Sequence, residues 1–364
     1  MKDKVLQAVF IMIGGDGIKG GGGAERRFFR VATSLLRESS LVLCNSSLYQ
    51  SALKAGIIYD EKNVIVLKNS NCKILYDILK IIRLKRPPLV HFPLLQIKLV
   101  PLYVGIKLVS PGTKIVQTVA LSSVAHGTKT PLKTNIVLWI AIILSSRIDS
   151  LYQSITERRR FALFRNKIRV TPGSFTDLNK FFYDETKKEK LVLFCGRLIE
   201  EKNPLLALEA FRKFLKVNPE WRMIFCGEGE LKQVLQSEIE KLNLHSHVEI
   251  YSTPDTSLEF RRAQIFLSLQ ATENYPSQSI IEAMASGCGV VATNVGETNR
   301  LVIHNVTGLL CAEDSQSIAW AMNRIAQDYP LREKMIHRSV ENISRNHSLQ
   351  SFATYLNGLW QNAK

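Results

Sequence analysis

Leu191-Val192-Leu193-Phe194-Cys195-Gly196-Arg197-Leu198-Ile199-Glu200-Glu201-Lys202-Asn203-Pro204 is an apolar run, a glycine turn and a proline in close succession. Five apolar residues are too few for an ordinary helix and read as a buried strand. Asn203 and Pro204 then offer an N-cap and a first helical residue. A strand, a turn and a helix start open a parallel α/β unit, and ligands bind such sheets at turns of this kind. Arg197 and Lys202 flank the helix start. Two cations beside its positive end suit a diphosphate; in the plainer reading they are solvated and paired with Glu200 or Glu201.

Outward from that turn the same alternation continues. On the N-terminal side, strands are expected at Gln7–Gly14, Leu41–Asn45, Asn63–Leu67, Leu89–Phe92, Lys114–Val119, Ser150–Ser154 and Lys167–Thr171, with helices such as Ala24–Arg37, Cys72–Arg83 and Thr134–Ser145 between them. On the C-terminal side, strands at Arg222–Cys226, Val248–Tyr251, Ile265–Leu269 and Val290–Thr293 alternate with helices, and a terminal helix spans Leu349–Gln361. The order predicts an α/β protein of two Rossmann-like parallel-sheet domains facing a cleft. The expected division is a first domain over 1–174, a linker over 175–190, a second domain over 191–345, and a terminal helix within 346–364 packing back on the first.

The chain of 364 residues is long enough for two cores, and with 46% hydrophobic residues and no low-complexity tract it is not disordered. Its longest apolar run, Ile136 to Leu144, is nine residues, against roughly 20 for a spanning helix. Six scattered cysteines without a C-x-x-C suit buried thiols in a reducing cytoplasm, not disulfides or metal ligands. The net charge of +16 is uneven: residues 1–176 carry 27 Lys and Arg against 9 Asp and Glu, while 177–364 carry 21 against 23. A basic first half argues for an anionic partner such as a membrane surface, a phosphorylated acceptor or nucleic acid.

Two more stretches carry candidate chemistry. Gly14 to Gly23 follows a strand and precedes a helix, and contains Gly15-x-Gly17-x-x-Gly20, a literal dinucleotide fingerprint. The second strand ends Asn45-Ser46-Ser47, without the acid that would hold a cofactor ribose, so a dehydrogenase is disfavoured. A helix beginning near Ala24 would make Gly22 and Gly23 its phosphate-facing residues; a ligand-free loop is the alternative. The other stretch is Thr272-Glu273-Asn274-Tyr275-Pro276-Ser277-Gln278-Ser279-Ile280-Ile281-Glu282. Glu282 could accept two hydrogen bonds from a vicinal diol, or could close a capping box with Ser279. Glu273, at the end of a strand, has no comparable local role in the sequence.

At this point the second half resembles the retaining glycosyltransferases of family 4, the glycosyl transferases group 1, which have the GT-B fold. The resemblance rests on Gly196-Arg197-Leu198 with Lys202-Asn203-Pro204, on Cys226-Gly227-Glu228-Gly229-Glu230-Leu231, and on Glu273-Asn274-Tyr275-Pro276 leading to Glu282-Ala283-Met284-Ala285-Ser286-Gly287. Gly296-Glu297 and Thr307-Gly308-Leu309-Leu310 continue it. It implies that Arg197 and Lys202 hold the diphosphate of a nucleotide sugar with Gly196, and that Glu282 grips the ribose. Glu273, Asn274, Tyr275, Pro276 and Ser277 would meet the donor sugar, Gly22 and Gly23 would approach the diphosphate, and the base would lie near Gly227, Glu228, Tyr251 and Ser252.

The chain departs from the family's pattern in three places. Eight residues, Asn274 to Ile281, separate the two glutamates where the family usually has seven. Ser252 stands where a glycine is usual. No histidine follows the fifth strand directly, so His126 and His91 are the two candidates for the reacting sugar, and a structural role is open for each.

The implied activity is transfer of a sugar, with retention and without a metal or cofactor, from a nucleoside diphosphate sugar to a hydroxyl of a glycan or lipid-linked acceptor. A bacterial surface polysaccharide or lipopolysaccharide is the expected product. Basic clusters at Arg83-Leu84-Lys85-Arg86 and Arg158-Arg159-Arg160, with apolar Leu94–Val109 and Thr134–Ser145, would let the chain lie on the inner face of an anionic membrane; the plainer reading of Thr134–Ser145 is a buried core helix. Nucleic acid is not expected. The rival readings are a nucleotide-sugar epimerase of similar fold and a catalytically silent protein that binds an anionic polymer.

Overall fold

The computed structural model describes residues 6–13, 23–54, 56–68, 72–120 and 132–363, with only the backbone at 24–26 and 72. The chain forms two compact units, Met1–Pro172 with Leu349–Lys364, and Gly173–Ser348.

The first unit is built on strands β1 (Ala8–Met12), β2 (Ser40–Asn45), β3 (Val64–Leu67), β4 (Leu89–Phe92), β5 (Lys114–Val119), β6 (Arg147–Ser150) and β7 (Ile168–Val170). They form a sheet of order β3-β2-β1-β4-β5-β6-β7, parallel throughout. Every residue of β1 is apolar and buried, as a central parallel strand covered on both faces requires. Helices α1 (Gly23–Thr33), α2 (Ser46–Lys54), α3 (Cys72–Lys85), α4 (Val100–Val109), α5 (Leu132–Leu144) and the short α6 (Ser154–Glu157) connect the strands. Ile78, Leu102, Ile106 and Ala141 of α3, α4 and α5 pack with Val9, Val90 and Ile115 on one face.

The strand expected at Ser150–Ser154 is instead Arg147–Ser150. The apolar run that would announce it is interrupted by Asp149, which is buried in the sheet on hydrogen bonds described below.

The second unit holds β8 (Glu189–Cys195), β9 (Arg222–Cys226), β10 (Val248–Tyr251), β11 (Ala263–Ser268), β12 (Gly289–Thr293) and β13 (Leu309–Cys311) in the parallel order β10-β9-β8-β11-β12-β13. Helices α7 (Pro204–Leu215), α8 (Lys232–Lys241), α9 (Ser257–Arg262), α10 (Gln278–Ala285), α11 (Ser315–Gln327) and α12 (Tyr329–Asn346) surround it. Strand order reverses between β8 and β11, so the loops leaving their C-terminal ends diverge there and open a crevice.

The segment expected as a linker, 175–190, belongs to the second unit. Phe175 and Phe181 are buried, Phe181 meets Phe260 edge-on, and Thr176 N donates to His347 O at 2.9 Å. Aromatic anchors in a polar stretch hold it to the core. Helix α13 (Leu349–Gln361) returns to the first unit, where Trp360 packs on Phe10 and Phe352 on Phe28. No described helix is long and apolar enough to cross a membrane. Cys44, Cys195, Cys226, Cys288 and Cys311 carry free thiols.

Candidate functional site

The loops after β8, β9, β11 and β12 meet at the crevice of the second unit. After β8 the chain makes a 3-10 turn at Glu200–Lys202 and enters α7 at Pro204. Asn203 does not cap that helix with its side chain as expected. Its backbone is left-handed, at φ 55° and ψ 49°, and its amide donates to Glu313 Oε1 at 2.6 Å. The first-turn N–H groups of α7 therefore have no side-chain cap, which leaves the positive end of the helix open to an anion.

Lys202 is half-buried beside that end. Its Nζ donates to the neutral amide oxygen of Gln270 at 2.5 Å, across the point where strand order reverses. Burial first, and then repulsion from Arg197, push its pKa down to about 8. Arg197 is exposed and, among the described residues, has no ion-pair partner. Glu200 and Glu201 thus do not neutralise the two cations by direct pairing, contrary to the plainer reading.

After β9, Gly227 and Gly229 let one turn lie directly on another. A Cβ at 227 would fall 1.9 Å from Gly196 O and one at 229 would fall 2.3 Å from Leu198 O. Gly196 N donates to Cys226 O, Leu198 N to Glu228 O and Gly227 N to Tyr251 O, at 3.0, 2.8 and 2.9 Å. Ser252 anchors a carboxylate here. Its hydroxyl donates to Glu228 Oε1 at 2.8 Å, the oxygen that Lys232 Nζ also reaches at 2.8 Å. These two partners lower the pKa of the Glu228 carboxyl. Tyr251 donates to Glu259 at 3.1 Å, and burial with that carboxylate raises the phenol's pKa.

The capping-box reading of Glu282 fails. Helix α10 begins at Gln278, and the extended residue before it, Ser277, is the cap, its Oγ accepting from Ile280 N at 3.4 Å. Glu282 lies past the first turn, where Gln278 Nε2 donates to its Oε1 at 2.9 Å. Gln278 is itself held by Ser174, whose hydroxyl donates to Gln278 Oε1 at 2.8 Å, and donates to Phe175 O at 3.2 Å. Sequence reading missed Gln278, although its place one helical turn before a glutamate is a legible i,i+4 pair.

Glu273 also differs from expectation, because it has a structural role. Its Oε1 accepts from Tyr275 N and its Oε2 from Glu297 N, both at 2.7 Å. Arg300 pairs with Glu297 at 2.6 Å and lies 4.1 Å over the ring of buried Tyr275. Glu273 thus fastens the loop through Asn274, Tyr275, Pro276 and Ser277 to the one after β12, and the Tyr275 ring faces the protein.

His91 is not at a ligand site. It is fully buried, between Phe10 and Phe28, and burial pushes its pKa down to about 3. Trp360 Nε1 can only donate, so His91 Nδ1 accepts from it at 3.3 Å and the proton sits on Nε2, which donates to Thr118 Oγ1 at 2.9 Å. Thr118 donates to Asp149 Oδ2 at 2.8 Å, and Tyr355 to Asp149 Oδ1 at 2.6 Å. The chain of donors ties α13 to the first sheet. His126, Gly22 and the Gly15-x-Gly17-x-x-Gly20 fingerprint lie outside the described residues; Gly23 is the first residue of α1.

The site holds a cation pair without a carboxylate in direct contact at one helix start, a glutamate on the helix that follows the adjacent strand β11, and glycine-packed turns. The glycosyl transferases group 1 family matches residues 175–341. The second unit of this chain thus resembles the group 1 glycosyltransferases. An uncharacterised glycosyltransferase of Methanocaldococcus jannaschii is 25% identical over 260 residues, 65% of this chain and 64% of that protein. The GalNAc-α-(1→4)-GalNAc-α-(1→3)-diNAcBac-PP-undecaprenol α-1,4-N-acetyl-D-galactosaminyltransferase of Campylobacter jejuni is 23% identical over 178 residues, 48% of this chain and 49% of that enzyme. The chain thus spans less than two thirds of the length of either relative. Among solved structures, Anabaena HepE in complex with UDP superposes with a TM-score of 0.79 at 16% identity, covering 98% of this chain and 100% of that one; it is also known with UDP-glucose. The fold is GT-B, with two Rossmann-like parallel-sheet domains.

Proposed function

We propose that this protein is a glycosyltransferase that retains anomeric configuration, needs no metal or cofactor, and moves a sugar from a nucleoside diphosphate sugar to a hydroxyl of a glycan or lipid-linked acceptor. Assembly of a bacterial surface polysaccharide or lipopolysaccharide is the setting we propose. The observation that carries the reading is the Arg197–Lys202 pair at the uncapped start of α7. Lys202 holds its charge partly out of water with exposed Arg197 beside it, neither has a carboxylate in direct contact, and a diphosphate supplies what is missing. Anabaena HepE with UDP-glucose and the undecaprenol-linked acceptor of the Campylobacter enzyme support the donor and acceptor classes.

In the reaction the bond from the anomeric carbon to the diphosphate breaks and a bond to the acceptor oxygen forms on the same face. The acceptor's proton passes to the departing phosphate. Negative charge grows on the diphosphate, where Arg197, Lys202 and the first N–H groups of α7 would meet it, already oriented and partly desolvated. Glu282, held by Gln278, would accept the ribose hydroxyls. Glu273 would act by positioning, since its loop carries Asn274 toward the donor sugar.

Calorimetry with UDP and UDP-glucose tests the donor half, with loss of binding expected in Arg197→Ala and Lys202→Ala. Absence of nucleotide binding in the native chain overturns the reading. Isomerisation of a donor sugar without any acceptor would replace it with an epimerase.

A further inference from the structure

Helices α4 and α5 of the first unit pack side by side, and the faces they turn away from the sheet are apolar. Val104 and Leu108 on α4 are 50% and 76% exposed, and Leu132, Ile136 and Ile143 on α5 are 76%, 50% and 58% exposed. Their spacing, 104/108 and 132/136/143, is that of one helical face. Trp139 of α5 meets Phe161 and Phe164, so the adjoining 3-10 segment Arg159–Lys167 extends the row, and its Leu163 is 93% exposed. Single exposed apolar residues are ordinary; six on three adjoining elements mark an interaction surface.

The charge around this row is predominantly positive. From Ile78 to Ile148 the sequence contains no Asp or Glu and ten Lys and Arg. Lys107 has its pKa lowered by burial and then by Lys114 and Lys167, so three lysines gather near the end of α4. Arg160 lies over the Phe161 ring at 4.6 Å and Lys167 over Phe164 at 5.8 Å, aromatic stems under cationic heads.

We propose that this surface docks on an anionic phospholipid bilayer. A second copy of the chain would bring two strongly basic surfaces together, which repels. A bilayer accepts both components at once, apolar side chains at the acyl boundary and cations among the phosphates. The surface lies in the first unit and Arg197, Lys202 and Glu282 in the second, so vesicle binding and nucleotide binding are separate readouts.

The test is co-sedimentation of the full chain with vesicles of phosphatidylcholine alone and of phosphatidylcholine with phosphatidylglycerol in equal parts. It is repeated with Leu108→Glu and Ile136→Glu, whose positions are exposed and whose folding is checked by UDP calorimetry and melting. Binding to the anionic vesicles only, weakened by salt and reduced about tenfold or more in each variant, supports the proposal. Equal binding to both vesicle types, unchanged binding by the variants, or a dimer that the variants dissociate without vesicle binding by the native chain overturns it.

Discussion

A Cβ on Gly296 would stand 1.9 Å from Glu273 Oε2, so the glycine and the glutamate share a space that has room for only one side chain. Gly296 also has a φ of +53°, where an alanine is strained. Gly296→Ala should expel the carboxylate from its bonds to Tyr275 N and Glu297 N, at a cost of about 3 kcal/mol from backbone strain and the lost charge-assisted bonds. Glu273→Ala should cost a similar amount. In the double variant the clash is gone, so the second substitution adds only the strain. Additive losses in a double-mutant cycle would sink the idea that these residues share one contact.

Helix α10 separates two roles that its sequence confuses. Ser277→Ala should cost about 1 kcal/mol of stability, toward the low end because the capping bond is long, and leave nucleotide affinity nearly unchanged. Glu282→Gln should do the reverse, weakening UDP binding with little change in melting. Gln278→Ala should weaken binding less than Glu282→Gln, since it frees the carboxylate without removing it. If Glu282→Gln melts like a lost cap and binds UDP normally, the ribose assignment is wrong.

The parallel strands were legible because a strand buried on both faces must be apolar there, as β1 and the stretch Leu191–Phe194 of β8 are. What escaped depended on partners far along the chain. Asp149 hid β6 because its partners Thr118 and Tyr355 are 31 and 206 positions away. His91 looked available for a ligand because Trp360, which fixes its tautomer, is 269 positions off. Ser279 reads as the cap in sequence, and the extended backbone of Ser277 places the cap two residues earlier. Arg197 and Lys202 could be read because a cation beside a helix start is a local feature.

Burial of neutral His91 makes the fold sensitive to acid. Its pKa is near 3 when folded and about 6.5 when unfolded, so the unfolded state takes the proton first. Its stabilising contribution is complete above about pH 6.5 and declines toward pH 3, at about 1.4 kcal/mol per pH unit for one proton. His347, its pKa also lowered by burial, adds in the same direction. Asp149 acts oppositely, since burial raises its pKa. Denaturation between pH 6.5 and 5 should show a shallower pH slope in His91→Gln, by roughly one proton. An unchanged slope would mean that the imidazole titrates normally.

Lys202 makes an opposite test possible at the alkaline side. In the free protein its pKa is about 8, held down by burial and by Arg197. A bound diphosphate favours the charged ammonium, so the pKa must be higher in the complex. By linkage, nucleotide affinity is greatest below pH 8 and falls as pH rises through that value, approaching about tenfold per unit until the pKa of the complex is reached. Binding above pH 8 should also take up close to one proton, visible as a dependence of calorimetric enthalpy on the buffer's ionisation heat. Lys202→Met should bind more weakly and lose both effects, whereas Arg197→Met should bind weakly and keep the pH dependence, shifted to higher pH because the repelling charge is gone. Proton uptake that persists in Lys202→Met would assign the titration elsewhere and remove Lys202 from the phosphate contact.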